Sequence, residues 1–263
     1  MSGLLTGNKT ASAALRGDDF YASPYAALPP LLVAEGRRLP RVLWEPAAGN
    51  GALVVPLRNR GYDVTASDLN DWGCPDCEAD ADFLGKFADD IGRTLKFHHG
   101  DQFGIVTNPP FNIIEQFVER AVKMSPYVAL LCRLAFLESE GRMKWWKQVG
   151  LRRVHLIAER LPMMHRHNYD GPKLSNAGMC FAWFVFESGK RSVNQVPVRW
   201  VSWKEASRKF PKTDADIPPE AKKHQRGLFE LHSNPQPSTQ TADTAGEPTP
   251  SHSPATPSQE IAA

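Results

Sequence analysis

The segment that most constrains this chain is a short apolar run that ends in Asn108-Pro109-Pro110-Phe111. β-Branched residues followed directly by a turn signal predict a buried strand. Two consecutive prolines can neither continue a strand ladder nor enter a helix interior, so they predict a stiff turn at the carboxyl end of that strand. From Ile113 to Met124 the apolar residues recur at helical spacing. The predicted order is therefore strand, rigid turn and helix, and ligands bind at such strand ends in open α/β sheets.

The residues of this turn suit a reaction at an NH2 group. The lone pair of an exocyclic NH2 on a conjugated ring or an amide is delocalised, which makes the nitrogen a poor nucleophile. The side-chain oxygen of Asn108 and the backbone carbonyl of Pro109 are two acceptors for its N–H groups, and Phe111 offers a flat face for a ring. Dipoles oriented toward a developing charge are usually a large term in catalysis. The alternative is an ordinary proline turn between a strand and a helix.

A second turn, rich in small residues, follows a predicted strand at 41–45. Its sequence is Pro46-Ala47-Ala48-Gly49-Asn50-Gly51, and its glycines allow close approach of the backbone to a ligand. This is typical of the first βα turn of a doubly wound fold, although the spacing differs from that of dinucleotide-binding turns. Glu45 at the strand end suits a cationic amino group better than a pyrophosphate. Asp68 ends the next predicted strand, roughly 20 residues past the turn, as expected for a carboxylate that accepts bonds from ribose hydroxyls.

Taken in order, these segments resemble the amino-methyltransferases that use S-adenosylmethionine, whose signature is Asn/Asp/Ser-Pro-Pro-aromatic. The resemblance covers residues 20–187. It implies an α/β Rossmann-like fold with a doubly wound, mostly parallel seven-stranded sheet whose last strand is antiparallel. It also implies methyl transfer to an exocyclic amine, N6 of adenine in DNA, by an enzyme of the phage type that flips the base out of the stack. The alternatives are RNA adenine N6, DNA cytosine N4, a protein glutamine amide, or a catalytically silent module that binds cofactor or nucleic acid.

The resemblance also implies roles for individual residues. The segment before the first strand closes over the methionine end of the cofactor, unless Ser23 simply caps the next helix with Pro24 at its first position. Asp82 takes the adenine amino group, and the adjacent apolar residue packs on the ring. Three other acids could fill that position instead: Asp80, Asp89 and Asp101. The implied catalytic residues are Asn108, Pro109, Pro110 and Phe111. The implied cofactor-binding residues are Tyr21, Ser23, Pro24, Glu45, Pro46, Ala47, Gly49, Gly51, Asp68, Leu69, Asp82, Phe83 and Asn108.

Substrate contacts are expected from two places. Arg133 ends a predicted strand at 127–132, where it contacts a phosphate, steadies the turn or is an ordinary surface arginine. Residues 159–178 lose periodicity and combine basic with aromatic side chains, which suits phosphate contact and base stacking. The alternative is a plain connection between strands. The expected substrate-binding residues are Arg133, His165, Arg166, His167 and Lys173. Because the sequence offers no sizeable separate recognition domain, sequence readout must come from the loop around His165 to Lys173 or from the connection that contains Cys74.

Bulk properties narrow the setting. The net charge is +2, so a nucleic-acid partner, expected to be DNA, must be held by a local basic patch and not by a global field. Four cysteines among 263 residues do not make a disulfide framework, which favours a reduced, cytoplasmic setting. The resemblance implies a bacterial or phage-infected cell. No signal peptide and no apolar run long enough for a membrane span is apparent.

The rest of the chain supplies the organisation. We expect a flexible N-terminus at 1–17, a methyltransferase domain at 18–232 and a disordered tail rich in Pro, Ser and Thr at 233–263. Further strands are predicted at 154–158 and 179–187, with an edge strand at 196–203. The connection at 71–100 is long and contains Cys74, Cys77, His98 and His99. These residues could hold zinc. Two incidental thiols is the favoured interpretation, because adjacent histidines rarely reach one ion, and no metal is expected.

Overall fold

The computed structural model describes residues 22–162, 179–187, 189 and 195–219. These residues form one eight-stranded sheet in the order β3-β2-β1-β4-β5-β7-β6-β8. The strands are β1 (Val42–Glu45), β2 (Asp63–Ser67), β3 (Cys77–Glu78), β4 (Phe103–Thr107), β5 (Tyr127–Arg133), β6 (Leu151–Ile157), β7 (Phe181–Glu187) and β8 (Val198–Val201). The predicted termini at 1–17 and 233–263 lie outside the described residues.

The sheet is mostly parallel. β7 runs antiparallel to β5 and β6, whereas the other described pairs are parallel. The predicted α/β class, with a mostly parallel sheet and an antiparallel strand near the end of the chain, is confirmed. The number of strands differs from the predicted seven because β8 adds to the edge of β6 in parallel.

Helices cover both faces of the sheet. They are α1 (Leu28–Glu35), α2 (Val54–Arg58), α3 (Lys86–His99), α4 (Ile114–Met124), α5 (Glu140–Gln148) and α6 (Trp203–Lys209). Successive strand residues point to opposite faces. Leu43 and Val106 therefore pack in the layer of α1 and α2, whereas Trp44 and Ile105 pack in the layer of α3 and α4. The fold is thus doubly wound, as the sequence predicted.

The long connection at 71–100 is regular structure. It contains β3, which pairs with β2 at Ala66↔Cys77 and Ser67↔Glu78, and the fourteen-residue helix α3. β3 has only two residues and no apolar run, so its conformation is determined by pairing with β2 and not by its own sequence. The length of the connection is therefore explained by a strand and its crossover helix.

A buried charge cluster ties α1 to β6 and β7 at the end of the sheet away from the strand-end turns. Glu35 is 1% exposed and accepts hydrogen bonds from Arg153 Nε at 2.8 Å and Nη2 at 3.0 Å. His155 Nε2 lies 2.7 Å from Glu35 Oε1, and Arg153 also donates to Glu187 at 2.7 Å. Burial alone would raise the pKa of Glu35, but the bonds from His155 and Arg153 lower it to about 2.

Candidate functional site

A cavity of about 270 Å³ lies at the carboxyl ends of β1, β2 and β4. The turns that follow these strands form its walls, together with a short segment that precedes α1. It brings together most of the residues predicted for the site: Ser23, Glu45, Pro46, Ala47, Gly49, Asp68, Leu69, Asp82, Phe83, Asn108, Pro109, Pro110 and Phe111. Motifs that are up to 88 positions apart in the chain therefore line a single space.

Glu45 has a carboxyl group that is buried at the wall of this cavity. It ends β1, is 1% exposed and accepts one hydrogen bond, from the Ala47 amide at 3.1 Å. Its Oε2 atom is buried and receives no hydrogen bond of good geometry from the described residues. Burial raises the pKa of Glu45 well above its usual range, and the nearby Thr107 hydroxyl and the Ala47 amide offset this only in part. A cation entering the cavity would supply the missing partner.

The glycine turn is fixed by Asp68. The Gly49 amide, at a residue with φ 54°, donates to Asp68 Oδ2 at 2.8 Å. The other carboxylate oxygen accepts from the Asn70 amide at 3.0 Å. Burial raises the pKa of Asp68, although the Asn70 and Gly49 amides and the Trp72 side chain lower it in part. Asp68 thus positions the turn after β1 from the end of β2, and each of its oxygens keeps further acceptor capacity.

Gly51 and Pro24 were predicted to bind cofactor but lie outside the set of residues that line the cavity. Gly51 has φ +86°, and a Cβ there would stand 3.1 Å from Cys74 Sγ. Its glycine is therefore required by the backbone conformation and by packing against Cys74. Pro24 is the residue before a short 3-10 turn at Tyr25–Ala27.

Asp82 and Phe83 stand at the entrance to α3. Asp82 Oδ1 accepts from the Leu84 amide at 2.8 Å, and the Asp82 carboxylate is exposed at the cavity edge. Phe83 is 5% exposed and packs edge-on against Trp44, with ring centroids 5.3 Å apart, and against Phe117 at 4.1 Å. Phe83 is consequently both a core residue and part of the cavity floor. The three alternative acids, Asp80, Asp89 and Asp101, lie outside the lining residues.

The diproline turn faces the same cavity. All five residues of β4 are buried, so the following residue, Asn108, emerges from a rigid base. Asn108 Nδ2 donates to Ser23 Oγ at 3.1 Å, which links the segment before α1 to the turn. The prediction that Ser23 caps the helix is wrong: the residue before the 3-10 turn is Pro24, and no described side chain caps it. The Ser23 hydroxyl instead fixes the orientation of the Asn108 amide.

Phe111 opens a short 3-10 turn, Phe111–Ile113, that leads into α4. The Arg133 guanidinium carbon lies 5.0 Å from the centroid of the Phe111 ring, a cation–π distance. Arg133 is exposed at the end of β5, and none of the ion pairs in the described part of the chain involves it. The mouth of the cavity therefore carries a positive charge that is not neutralised by a described acid.

Five predicted site residues lie outside the described residues: Tyr21, His165, Arg166, His167 and Lys173. Trp72, which was not predicted, also lines the cavity and hydrogen-bonds Asp68. A signal existed, because an aromatic residue four positions after a strand-end acid lies near the same ligand edge. Within the described residues no group of three or more His, Cys, Asp or Glu side chains could hold a metal ion. No described helix has the length and apolarity that crossing a membrane requires.

Comparison with known proteins gives structural similarity alone. No protein-family model and no curated protein matches the chain. Similar solved structures include a Listeria monocytogenes protein assigned as a class I S-adenosylmethionine-dependent methyltransferase, at 12% identity and a TM-score of 0.47, covering 73% of this chain and 69% of that chain. A SAM-dependent methyltransferase from Archaeoglobus fulgidus is 9% identical, with a TM-score of 0.42, and the match covers 67% of this chain and 100% of that chain. The 23S rRNA methyltransferase ErmE is 15% identical, with a TM-score of 0.38, and the match covers 67% of this chain and 72% of that chain.

Those identities and scores support no assignment of activity to this chain, so the class of protein rests on its own sheet and site. The fold defines a doubly wound α/β protein whose cavity lies at the carboxyl ends of the central strands. Two buried acids and one exposed acid line it, which suits a cationic ligand. An amide, two prolines and an aromatic ring complete the wall opposite the glycine turn.

Proposed function

We propose that this protein is an S-adenosylmethionine-dependent methyltransferase that acts on an exocyclic amine, N6 of adenine in DNA, in the cytoplasm of a bacterial or phage-infected cell. One observation carries the proposal: a single cavity contains both the buried, incompletely bonded carboxylate of Glu45 and the Asn108-Pro109-Pro110-Phe111 turn. The first suits a cationic cofactor and the second suits an NH2 substrate. Their placement in one space is what transfer between the two requires.

The residues of the cavity fit the cofactor. Glu45 Oε2 is an orphaned buried oxygen, the natural partner for the ammonium group of the methionine moiety. Asp68 lies at the end of the adjacent strand with acceptor capacity left for ribose hydroxyls. Asp82 and Phe83 provide an exposed acceptor and an aromatic surface for adenine. When bound, S-adenosylmethionine supplies an electrophilic methyl group on a positively charged sulfur.

The diproline turn prepares the substrate nitrogen. Asn108 and the Pro109 carbonyl accept the two N–H bonds, which favours a pyramidal nitrogen whose lone pair is free to attack. Phe111 stacks on the ring of the flipped base. Ser23 contributes by holding the Asn108 amide in one orientation, and the buried strand β4 prevents the turn from shifting. Acceptors that are oriented before the reaction need no reorganisation as charge develops on nitrogen.

Arg133 favours a nucleic-acid substrate. Its guanidinium lies 5.0 Å from the Phe111 ring centroid, without an acidic partner among the described residues, and could pair with the phosphate of a nucleotide whose base contacts Phe111. A glutamine amide in a protein substrate carries no such charge. RNA adenine and DNA cytosine N4 present the same amine and the same phosphate, so the identity of the product distinguishes them.

The test is transfer from labelled S-adenosylmethionine to separate DNA, RNA and protein pools, followed by mass spectrometry of the digested products. We expect N6-methyladenine from DNA. The variant Asn108→Ala should lose about 10²–10³-fold in turnover, the typical cost of removing one preorganised polar contact, while its affinity for the cofactor is kept. Gln116→Ala, which removes an exposed amide on α4, is the matched control and should behave as wild type.

Each other result has a definite meaning. Label in RNA, in N4-methylcytosine or in glutamine would replace the proposed substrate by that alternative. A binding module would be indicated if the protein binds the cofactor but transfers no methyl group to any pool, and if Asn108→Ala retains nucleic acid as well as wild type does. No affinity for S-adenosylmethionine would overturn the proposal as a whole.

A further inference from the structure

Two thiols flank a tight turn directly behind the cavity. Cys74 and Cys77 enclose the turn residues Pro75 and Asp76, and Asp76 has φ 49°. Proline at the second position and a positive φ at the third are the features of a type II turn, whose ends lie within about 7 Å of each other. Disulfides require Cα separations of about 4.4–6.8 Å. The backbone therefore already holds the two cysteines at a distance that a disulfide can bridge.

The sulfur atoms also face each other. The proximity of Cys74, followed by burial, raises the pKa of Cys77, and the Cys77 and Cys74 thiols donate to the Glu78 and Pro75 carbonyls at 3.8 and 3.7 Å. Cys74 is 8% exposed, whereas Cys77 is partly accessible to solvent. Both are free thiols. An oxidant of moderate size can thus reach Cys77, and Cys74 is close enough to attack the mixed disulfide that forms there.

Arg58 holds the turn against the body of the domain. Its guanidinium donates to the Pro75 carbonyl at 2.7 Å, to the Val64 carbonyl at 2.7 Å and to the Asp76 carbonyl at 3.4 Å. This fork connects α2, β2 and the turn. A change at the thiols is therefore transmitted to neighbouring structure and is not absorbed by free movement of the turn.

The neighbouring structure is the cavity wall. Cys74 Sγ packs against Gly51, where an added Cβ would stand 3.1 Å from the sulfur. The segment that leads to the thiols begins at Asp68, which bonds the Gly49 amide, and includes Trp72, which lines the cavity. Moving Cys74 Sγ toward Cys77 removes its contact with Gly51 and displaces the chain that carries Asp68 and Trp72.

We propose that Cys74 and Cys77 form a reversible disulfide within the turn and that this disulfide weakens ligand binding in the adjacent cavity. The co-reactant is a small-molecule disulfide such as oxidised glutathione. Because the pKa of Cys77 is raised, exchange quickens as pH rises: the Cys77 thiol loses its proton to solvent, its sulfur attacks the glutathione disulfide to form a mixed disulfide, and the released glutathione thiolate takes up a proton. The second cysteine then attacks the protein sulfur and releases the other glutathione. Two protein thiols are oxidised and one disulfide becomes two thiols, so electrons and protons balance. The effect on binding rests on the proposed function, whereas the disulfide does not.

The disulfide is tested on the full-length protein equilibrated in buffers of reduced and oxidised glutathione, quenched by alkylation and analysed by mass spectrometry. Relative to the reduced and alkylated protein, we expect a species that lacks two alkyl groups and has a peptide cross-linked between positions 74 and 77. Phenylarsine oxide, which needs two close thiols, should bind the reduced protein in one equivalent. Cys180→Ser, which removes an exposed thiol, should behave as wild type, and Cys77→Ser should lose both responses. Glutathione adducts on separate cysteines without the cross-link would overturn the proposal.

The coupling is tested by calorimetry with S-adenosylmethionine. The oxidised protein should bind at least about fivefold more weakly than the reduced protein, the lower range of coupling between linked sites. Cys77→Ser should bind equally in both buffers, which separates the disulfide from general oxidation. Equal affinity of the cross-linked and reduced proteins would refute the coupling. Cross-linking in a protein that binds the cofactor in neither state would instead refute the proposed function and leave the disulfide established.

Discussion

Replacing Glu45 by glutamine should lower the affinity for the cofactor without lowering the free energy of unfolding. Glutamine keeps the size of the side chain and its acceptor for the Ala47 amide, but it removes the charge whose Oε2 atom lacks a hydrogen bond. In the unliganded protein that charge is costly, because burial raises the pKa of Glu45. The free energy of unfolding of Glu45→Gln should therefore equal or exceed that of wild type, as is common where a site is held in a strained state for function.

The size of the effect on binding follows from burial. Glu45 is 1% exposed, so an ammonium bound to it is shielded from water. Removing one partner of a buried, hydrogen-bonded charge pair costs about 2–5 kcal/mol. That cost corresponds to a loss of about 30- to 5000-fold in affinity. A value in that range requires direct contact between the carboxylate and a cation.

Both the stability of the protein and its affinity for the cofactor should depend on pH through the ionisation of Glu45. Because the pKa of Glu45 is raised in the folded protein, the unfolded chain loses its proton at lower pH, near 4.5. Stability of the unliganded wild type should therefore fall as pH rises above that value until the folded carboxyl has titrated. Cofactor affinity should rise over the same window, since the ionised form is the one that binds the ammonium. Glu45→Gln should show neither dependence.

Isothermal titration with S-adenosylmethionine and chemical denaturation, both as functions of pH, check these expectations. Glu78→Gln is the matched control, because it makes the same substitution at an exposed position of β3. It should change neither the affinity nor the pH profile. Equal affinity of Glu45→Gln and wild type would refute the reasoning, since it would mean that the buried charge meets no cation.

Three further outcomes are expected. Gly51→Ala should lower the free energy of unfolding by about 1–3 kcal/mol in a urea titration, because φ is +86° there and positive φ strains any residue with a Cβ. Glu35→Gln should cost about 1.5–3 kcal/mol, because it removes one of the two carboxylates that bind the half-buried Arg153 and leaves Glu187 as the other. In wild type the contribution of Glu35, whose pKa is about 2 when folded, should be complete above pH 4.5 and be lost as pH falls toward 2. Arg133→Ala should raise KM for DNA and reduce the slope of the salt dependence of binding by about 1, with kcat kept.

The parts of the fold that the sequence predicted are those whose signal is local. β4, β5 and β7 are near-continuous apolar runs because they are buried on both faces, and α4 shows its amphipathic spacing directly. β3 was missed because two residues carry no periodicity, and only pairing with β2 makes them a strand. The edge strand β8 was expected in addition to the seven strands that the resemblance implied, one of which, β3, had no predicted range.

In the candidate site too, the residues with a local sequence signal could be predicted, whereas the contacts that depend on packing could not. The acids and glycines at strand ends could be assigned because their chemistry and the turn signals coincide in sequence. The contact between Asn108 and Ser23 joins residues 85 positions apart and depends on how α1 packs. The position of Arg133 on Phe111 likewise depends on β5 lying beside β4. Gly51 shows the opposite case, since a motif residue that suggested ligand contact is required by packing against Cys74.

The topology explains why the two motifs behind the proposal must face each other. Strand order reverses between β1 and β4, which are neighbours in the sheet although about 60 residues separate them in sequence. The chain leaves β1 toward α2 on one face of the sheet and leaves β4 toward α4 on the other face. Two connections that diverge from adjacent strand ends open a crevice between them, the usual ligand site of such sheets. Glu45 is the last residue of β1 and Asn108 is the first after β4, so the carboxylate and the amide become opposite walls of that crevice. The proposed chemistry therefore depends on the strand order as much as on the motifs themselves.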